Sequence, residues 1–298
     1  MFYFIVNPTS GDGLGKNVWE EVRKRLEKEQ VSYNYYVTEP QKGKLEKHLW
    51  NTVLKEDMYI SAVVVVGGDG TINETINILQ ATSIPIGVIP AGTGNDFARA
   101  NNIPNDCALA LDRILQVNTG TIDLLHSNFG HFGNVIGVGF DAQVAELTNR
   151  SRLKHYMNKW KLGKHSYIIN ALRLFLTYKP STVKINIDGS IKIIDDVWLI
   201  AVANSQFYGG GLKICPSARN SDGKLDICII SSKTKLKLLK LFYKVFMGSH
   251  IFEKEVMLLQ GINISISSDV RLHIQGDGEV SGETPITISV KKNALFII

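Results

Sequence analysis

The sequence predicts an α/β amino-terminal domain with a parallel sheet, followed by a mainly antiparallel β-sandwich. Three observations predict it. Up to about residue 120, strand-length apolar runs alternate with helix-length amphipathic stretches. The valine run 62–66 is apolar enough for a strand covered on both faces, and both it and the strand 84–90 empty into a glycine-rich loop. Beyond Gly120 the pattern changes to short strands at frequent intervals, as in a sandwich. The division falls at 1–122 and 123–298.

Residues 2–6 (FYFIV) form the first strand and turn polar at Asn7. A helix over 16–29 follows, then a strand over 33–38 ending at Thr38, a helix over 45–54 and the valine strand 62–66. Gly67-Gly68-Asp69-Gly70-Thr71 opens a helix that ends near Thr82, and strand 84–90 leads through Ala91-Gly92-Thr93-Gly94-Asn95-Asp96 into a further helix. Both glycine loops thus leave the same, carboxy-terminal edge of the sheet, where open α/β sheets bind ligands. In the second domain, strands are expected over 121–125, 131–138, 182–187, 191–203, 224–230, 262–267, 270–274 and 284–290. A last strand, 294–298, either closes that sheet or returns to the first domain.

Two domains in 298 residues can each bury a core. A net charge of +5 is too mild to argue for nucleic acid, yet suits anionic ligands or lipid headgroups. Cys107, Cys215 and Cys228 lack the spacing of a zinc site or disulfide framework and read as reduced residues of a cytoplasmic protein. The amino terminus reads as a strand rather than a signal peptide. The longest apolar helical candidate, 167–178, is short and carries Arg173, so no segment is expected to span a bilayer.

Glycines at 67, 68 and 70 let backbone N–H groups approach a polyphosphate at a helix start. Asp69 among them points to Mg²⁺ or to a departing proton, hence to transfer chemistry. Three further segments join this loop: Asn7-Pro8-Thr9-Ser10-Gly11, Gly92-Thr93-Gly94-Asn95-Asp96 with Phe97 and Arg99, and Asp277-Gly278-Glu279. Two look-alikes fail. Gly11-Asp12-Gly13-Leu14-Gly15-Lys16-Asn17 is one residue short of a Walker loop and ends in Asn, and the GxGxxG of a dinucleotide fingerprint is absent from 67–70.

Taken in order, these segments resemble the diacylglycerol kinase catalytic-domain family, in particular its bacterial lipid kinases, related to sphingosine and ceramide kinases and more distantly to NAD kinases. The resemblance covers nearly the whole chain and includes Phe140-Asp141-Ala142, Asn204-Ser205, Tyr208-Gly209-Gly210-Gly211 and Asp222-Gly223-Lys224-Leu225-Asp226. It implies a Rossmann-like first domain, an active site in the interdomain cleft, and ATP-dependent phosphorylation of a lipid hydroxyl, diacylglycerol to phosphatidate first. ATP is expected at Asn7, Pro8, Thr9, Ser10, Gly11, Thr38, Gly67, Gly68, Asp69, Gly70, Thr71, Ile72, Asn73 and Thr93. Glu279 is the expected proton acceptor, with Asp69 the alternative. Asp69, Asp96 and Asp123 are candidates for the nucleotide-linked Mg²⁺, although Asp96 could instead cap its helix. A structural metal is expected on the Asp222 carboxylate with the backbone carbonyls of Arg219 and Lys224.

A route to the membrane surface is expected from basic residues. Lys233, Lys237, Lys240 and Lys244 make one stripe on a helix over 233–246, flanked by Leu236, Leu239, Phe242, Tyr243 and Phe246. A second run holds Arg150, Arg152, Lys154, Lys159, Lys161 and Lys164. Either fits peripheral membrane contact or a solvated face, and a homodimer is a family-level expectation. The competing readings are a sphingoid, phosphatidylglycerol or prenol acceptor, an NAD kinase, and a non-catalytic lipid or nucleotide sensor.

Overall fold

The structure is a computed structural model that describes residues 1–39, 41, 43–54, 59–150 and 163–298. The chain divides into two compact units, Met1–Leu124 with Lys292–Ile298, and Leu125–Lys291.

The first unit is a parallel sheet. Its strands are β1 (Phe2–Val6), β2 (Tyr33–Val37), β3 (Ala62–Gly67) and β4 (Ile86–Pro90), in the spatial order β4-β3-β1-β2. The register pairs Phe2 with Ala62 and with Tyr33, and Val63 with Ile86. Every residue of β1, β3 and β4 is buried, which accounts for their unbroken apolar sequence. The helices are α1 (Ser10–Lys28), α2 (Lys44–Thr52), α3 (Asp69–Leu79), α4 (Asp96–Ala100) and α5 (Cys107–Leu115). Helix α1 opens earlier than the expected residue 16, but Gly11, Asp12 and Gly13 have positive φ and break its first turn. Helix α5 was not anticipated. Asp106 caps it by accepting from the Ala108 and Leu109 amides, and its apolar face, Ala110, Leu111 and Ile114, is buried.

The second unit is antiparallel. Strand β5 (Gly120–Ser127) enters it and is followed by β6 (Gly130–Phe132), β7 (Val135–Gly139), α6 (Phe140–Arg150), α7 (Gly163–Thr177), β8 (Ser181–Ile187) and β9 (Ser190–Ala203). The short β10 (Phe207–Tyr208) and β11 (Leu212–Lys213) pair with each other, and β12 (Leu225–Ser231), α8 (Lys235–Met247), β13 (Val256–Gly261), β14 (Asn263–Ser268), β15 (His273–Gly276), β16 (Glu279–Glu283) and β17 (Ile286–Ile297) complete the chain. The long strand β9 pairs with β7, β8 and β12. Its alternation serves two cores. Ile200 and Val202 join the sandwich interior, while Leu199, Ala201 and Ala203 face the layer that includes α7 and α8.

Several boundaries differ from the sequence expectation. The expected strand over 131–138 is two strands, because Gly133 and Asn134 turn their amides to Asp277 instead of a ladder. The expected strand over 270–274 begins three residues later, at His273. Strands β13 and β16 were not foreseen; β13 carries exposed Met257 and Leu258 in place of a clean alternation. The segments 284–290 and 294–298 are one strand, β17, whose Ile297 pairs in parallel with Ile86.

Candidate active site

In the first unit the sheet gathers the glycine loops at one edge. Asn7 follows β1, and its Nδ2 donates to Thr71 Oγ1 at 2.9 Å, tying the first loop to α3. Asn7 Oδ1 in turn accepts from the Thr9 amide and hydroxyl at 3.1 and 2.9 Å, and Ser10 Oγ donates to the Asn7 carbonyl. Thr38, just past β2, donates its amide to the Val6 carbonyl at 2.8 Å, which fixes it beside that loop.

Glycine is required here by contact. A Cβ on Gly92 would lie 2.5 Å from the Gly68 Cα, so the loops after β3 and β4 touch backbone to backbone. A Cβ on Gly11, whose φ is +58°, would lie 2.5 Å from the Ala91 carbonyl oxygen. Gly68 is the N-cap of α3, and the first amides of that helix, from Asp69, Gly70 and Thr71, have no carbonyl of their own helix to bond. Together with the helix dipole they make a helix start whose chemistry suits an anion such as a phosphate. Ile72 is buried against the core and Asn73 lies half-exposed one turn on, while Thr93 is exposed in the second loop.

The acids of this unit hold protein groups. Asp69 Oδ1 accepts from the Phe97 amide at 3.0 Å, joining the starts of α3 and α4. Asp96 is buried and paired with Arg99 at 2.5 Å, so it is no helix cap; that position belongs to Asn95, whose Oδ1 accepts from the Gly92 amide. Asp123 is buried on β5 and accepts from the Asn293 amide at 2.8 Å. Among the described residues no three His, Cys, Asp or Glu side chains gather as a metal cluster, so Asp69, Asp96 and Asp123 are not a ready-made ligand set.

In the second unit the Asp277-Gly278-Glu279 turn is rigidly built. The Asp277 carboxylate accepts from the Gly133, Asn134 and Val135 amides at 2.8, 3.0 and 2.9 Å. Asn204 and Ser205 hold the same loop, through the Gly133 carbonyl at 3.0 Å and Asn134 Oδ1 at 3.1 Å. The Gly278 amide donates to Gln275 Oε1 at 2.7 Å, and Gln275 Nε2 donates to Asp141 Oδ2 at 3.1 Å. Glu279 itself is exposed at the start of β16. Asp277, Gln275, Asn204, Ser205 and Asp141 thus form a support that the sequence did not assign as a site, although its Phe140-Asp141-Ala142 and Asn204-Ser205 segments belonged to the resemblance.

The Asp222 turn offers oxygen donors only. Its Oδ1 accepts from the Lys224 amide at 3.0 Å, and Arg219 and Lys224 are exposed, so their carbonyls depend on no side chain. Asp226 is buried, bonds Gln260 through Oδ1 and leaves Oδ2 without a partner among the described residues. Burial, aided by the charge of Asp222, raises its carboxyl above the usual range. Two acids with one orphaned oxygen suit a hard cation, so the turn fits Mg²⁺ or Ca²⁺.

An apolar cavity of about 170 Å³ is lined by Ala171, Leu172 and Phe175 of α7, by Leu238, Leu239, Leu241 and Val245 of α8, and by Trp198 and Leu199 of β9.

The comparisons with known proteins match both units. Residues 1–127 match the model described as diacylglycerol kinase catalytic domain, and residues 134–298 the one described as YegS C-terminal NAD kinase beta sandwich-like domain. The chain is 35% identical to the diacylglycerol kinase of Mycobacterium tuberculosis over 80% of this chain and 76% of that one. The chain belongs to the diacylglycerol kinase family. A diacylglycerol kinase of Staphylococcus carnosus is 31% identical over 94% of this chain and 89% of its own. A Bacillus anthracis crystal structure provisionally named as a diacylglycerol kinase superposes with a TM-score of 0.77 at 25% identity, covering 100% of this chain and 96% of that one. As a member of this lipid kinase family the chain is a phosphotransferase with an alcohol group as acceptor.

Proposed function

We propose that the chain transfers the γ-phosphate of ATP to the free hydroxyl of diacylglycerol, giving phosphatidate and ADP. The observation that carries this reading is the presence, in one kinase chain, of a glycine-built phosphate cradle and an apolar cavity lined by α7 and α8. Asn7 to Gly11, Thr38, Gly67 to Asn73 and Thr93 hold the nucleotide through backbone amides and hydroxyls. The lipid oxygen bonds to phosphorus as the bond to the ADP oxygen breaks, and Glu279 takes the hydroxyl proton. Glu279 is preferred to Asp69 because Asp69 already spends Oδ1 on the Phe97 amide. Mg²⁺, when bound, would supply charge neutralisation at the phosphates; Asp69, which opens α3 at the cradle, is the acid assigned to it, with Asp96 and Asp123 as further candidates. The Asp222 turn, with the carbonyls of Arg219 and Lys224, would hold a second, structural cation.

No described helix is long and apolar enough to cross a membrane. The lipid is reached instead by peripheral contact through the tips of α7 and α8. Leu172 and Leu239 line the cavity and are about half exposed, and Leu176, Tyr243 and Met247 on the same helices stand well out. The lysine stripe supports this less than expected. Lys237 pairs with Glu255 and Lys244 with Glu253, and the side chains of Lys240, Leu236 and Phe242 lie outside the described residues, as does the second basic run, Arg150 to Lys164.

The test is transfer of label from γ-labelled Mg-ATP to dispersed dioctanoylglycerol, with sphingosine, phosphatidylglycerol, a prenol and NAD assayed beside it. Label appearing in phosphatidate is the expected result. Label confined to another acceptor overturns the choice of diacylglycerol, and nucleotide binding without transfer to any of them overturns the catalytic reading.

A further inference from the structure

One charged side chain is found among the described residues that line the apolar cavity, and it is Asp141. The residue is only 4% exposed, and its two oxygens differ. Oδ2 accepts from Gln275 Nε2 at 3.1 Å, while Oδ1 has no hydrogen-bond partner among the described residues. Tyr178, close enough for Asp141's charge to raise its hydroxyl's pKa, already donates to the Trp198 carbonyl at 3.3 Å. A buried carboxylate oxygen without a donor costs free energy, so its persistence on the wall of an open apolar cavity points to a donor from outside the protein.

We propose that Asp141 is a specificity-determining residue for the acceptor: in the complex without nucleotide, its Oδ1 accepts a hydrogen bond from the free hydroxyl of a neutral lipid alcohol whose tail fills the cavity, a bond the hydroxyl exchanges for one to Glu279 when transfer begins. The proposal rests on the reading of the cavity as the lipid site. Gln275 makes the placement useful, because it bonds Asp141 through Nε2 and the Gly278 amide through Oε1. The anchor and the turn bearing Glu279 therefore share one hydrogen-bonded unit. An acceptor-only group selects in two ways. A lipid whose hydroxyl is capped as an ester has no proton to give, and a lipid with a phosphate headgroup meets like charge.

The test is equilibrium binding, without nucleotide, of labelled dioctanoylglycerol, its acetate ester and dioctanoyl-phosphatidylglycerol to the full chain. The parent protein should prefer the alcohol to the acetate by about tenfold or more, the usual penalty for leaving a buried polar group unpaired. In Asp141→Asn, Oδ1 replaces the oxygen that Gln275 bonds, and the amide nitrogen turns a donor to the ligand. Preference for the alcohol should then fall to about twofold or less and the phosphatidylglycerol should gain, with acetate affinity little changed. Asp141→Ala, which removes the group without adding bulk, should level the same preference if the Asn variant fails to fold. Either variant binding the alcohol with its parental preference overturns the anchor while leaving the cavity reading intact. Failure of the parent protein to bind both the alcohol and the acetate overturns the cavity reading, and the anchor with it.

Discussion

The glycine loops of the first unit and the cavity of the second solve opposite problems. The loops are made of backbone: Gly68 and Gly92 touch, α3 presents its first amides, and Asp69 and Asp96 are tied to the Phe97 amide and to Arg99. The cavity is made of side chains, all but a few of them apolar, with one carboxylate oxygen, Asp141 Oδ1, left without a partner among the described residues. A polyphosphate is bound by many weak, fixed dipoles in water's reach, whereas an apolar tail is bound by area, and its orientation then depends on a single polar contact. Substitutions should therefore act in characteristically different ways in the two places.

The largest effect is expected where neither region acts alone. Glu279→Gln should lower turnover by about 10³-fold, within the range for loss of a general base, while nucleotide and lipid binding stay near parental values. Labelled phosphate transfer and equilibrium binding on the same sample check both halves. A loss of binding in step with turnover would assign Glu279 to structure.

Next comes the buried charge. Burial pushes the Asp141 carboxyl up from its usual 3.8 to about 6, with Gln275 and the first amides of α6 offsetting part of the shift. Between those values the folded chain keeps a proton that the unfolded chain has released. Folding is thus favoured at low pH, and that advantage disappears as pH rises through 6. The cost at neutral pH is about 3 kcal/mol. Asp141→Asn should therefore gain about that much stability over the parent between pH 4 and pH 7, read from urea unfolding at several pH values. A difference that does not change with pH would mean the carboxyl is not held in this state.

The loops should respond through geometry. Gly92→Ala places a Cβ against the Gly68 backbone and should destabilise the first unit by about 1–3 kcal/mol, with nucleotide binding weakened at least as much. The smallest change is expected at the surface. Lys237→Gln should alter binding to anionic vesicles little, because its amine is already engaged by Glu255, whereas Leu176→Glu at the exposed tip of α7 should reduce vesicle binding clearly. Equal losses for the two would return the membrane role to the lysine stripe.

The same contrast explains what could be read from the sequence. The placement of the loops was legible, since glycines follow the apolar strands β3 and β4, and Asn7 and Thr38 directly follow β1 and β2 while Thr71 lies in the first turn of α3. The parallel sheet followed from the valines of β3. The cavity was not legible. Its walls come from α7, α8 and β9, whose apolar residues look like ordinary core until the chain is folded. Asp141, Gln275 and Asn204 are separated by as much as 134 positions, and the pairing of β7 with β15 and β9, together with the turn at Asp277, brings them into one network. Asp141 did carry a signal, an acid directly after Gly139 and Phe140 in an apolar stretch, but sequence spacing alone gave it no partner.

The division of labour between loops and cavity is tested most directly by steady-state kinetics of Leu238→Trp, which fills the cavity from α8 at a position lining it. The KM for dioctanoylglycerol should rise about tenfold, in line with the loss of a few buried methylenes, while the KM for ATP stays within about twofold. An ATP KM that rises equally, or a lipid KM that does not move, would contradict the assignment of the cavity to the lipid.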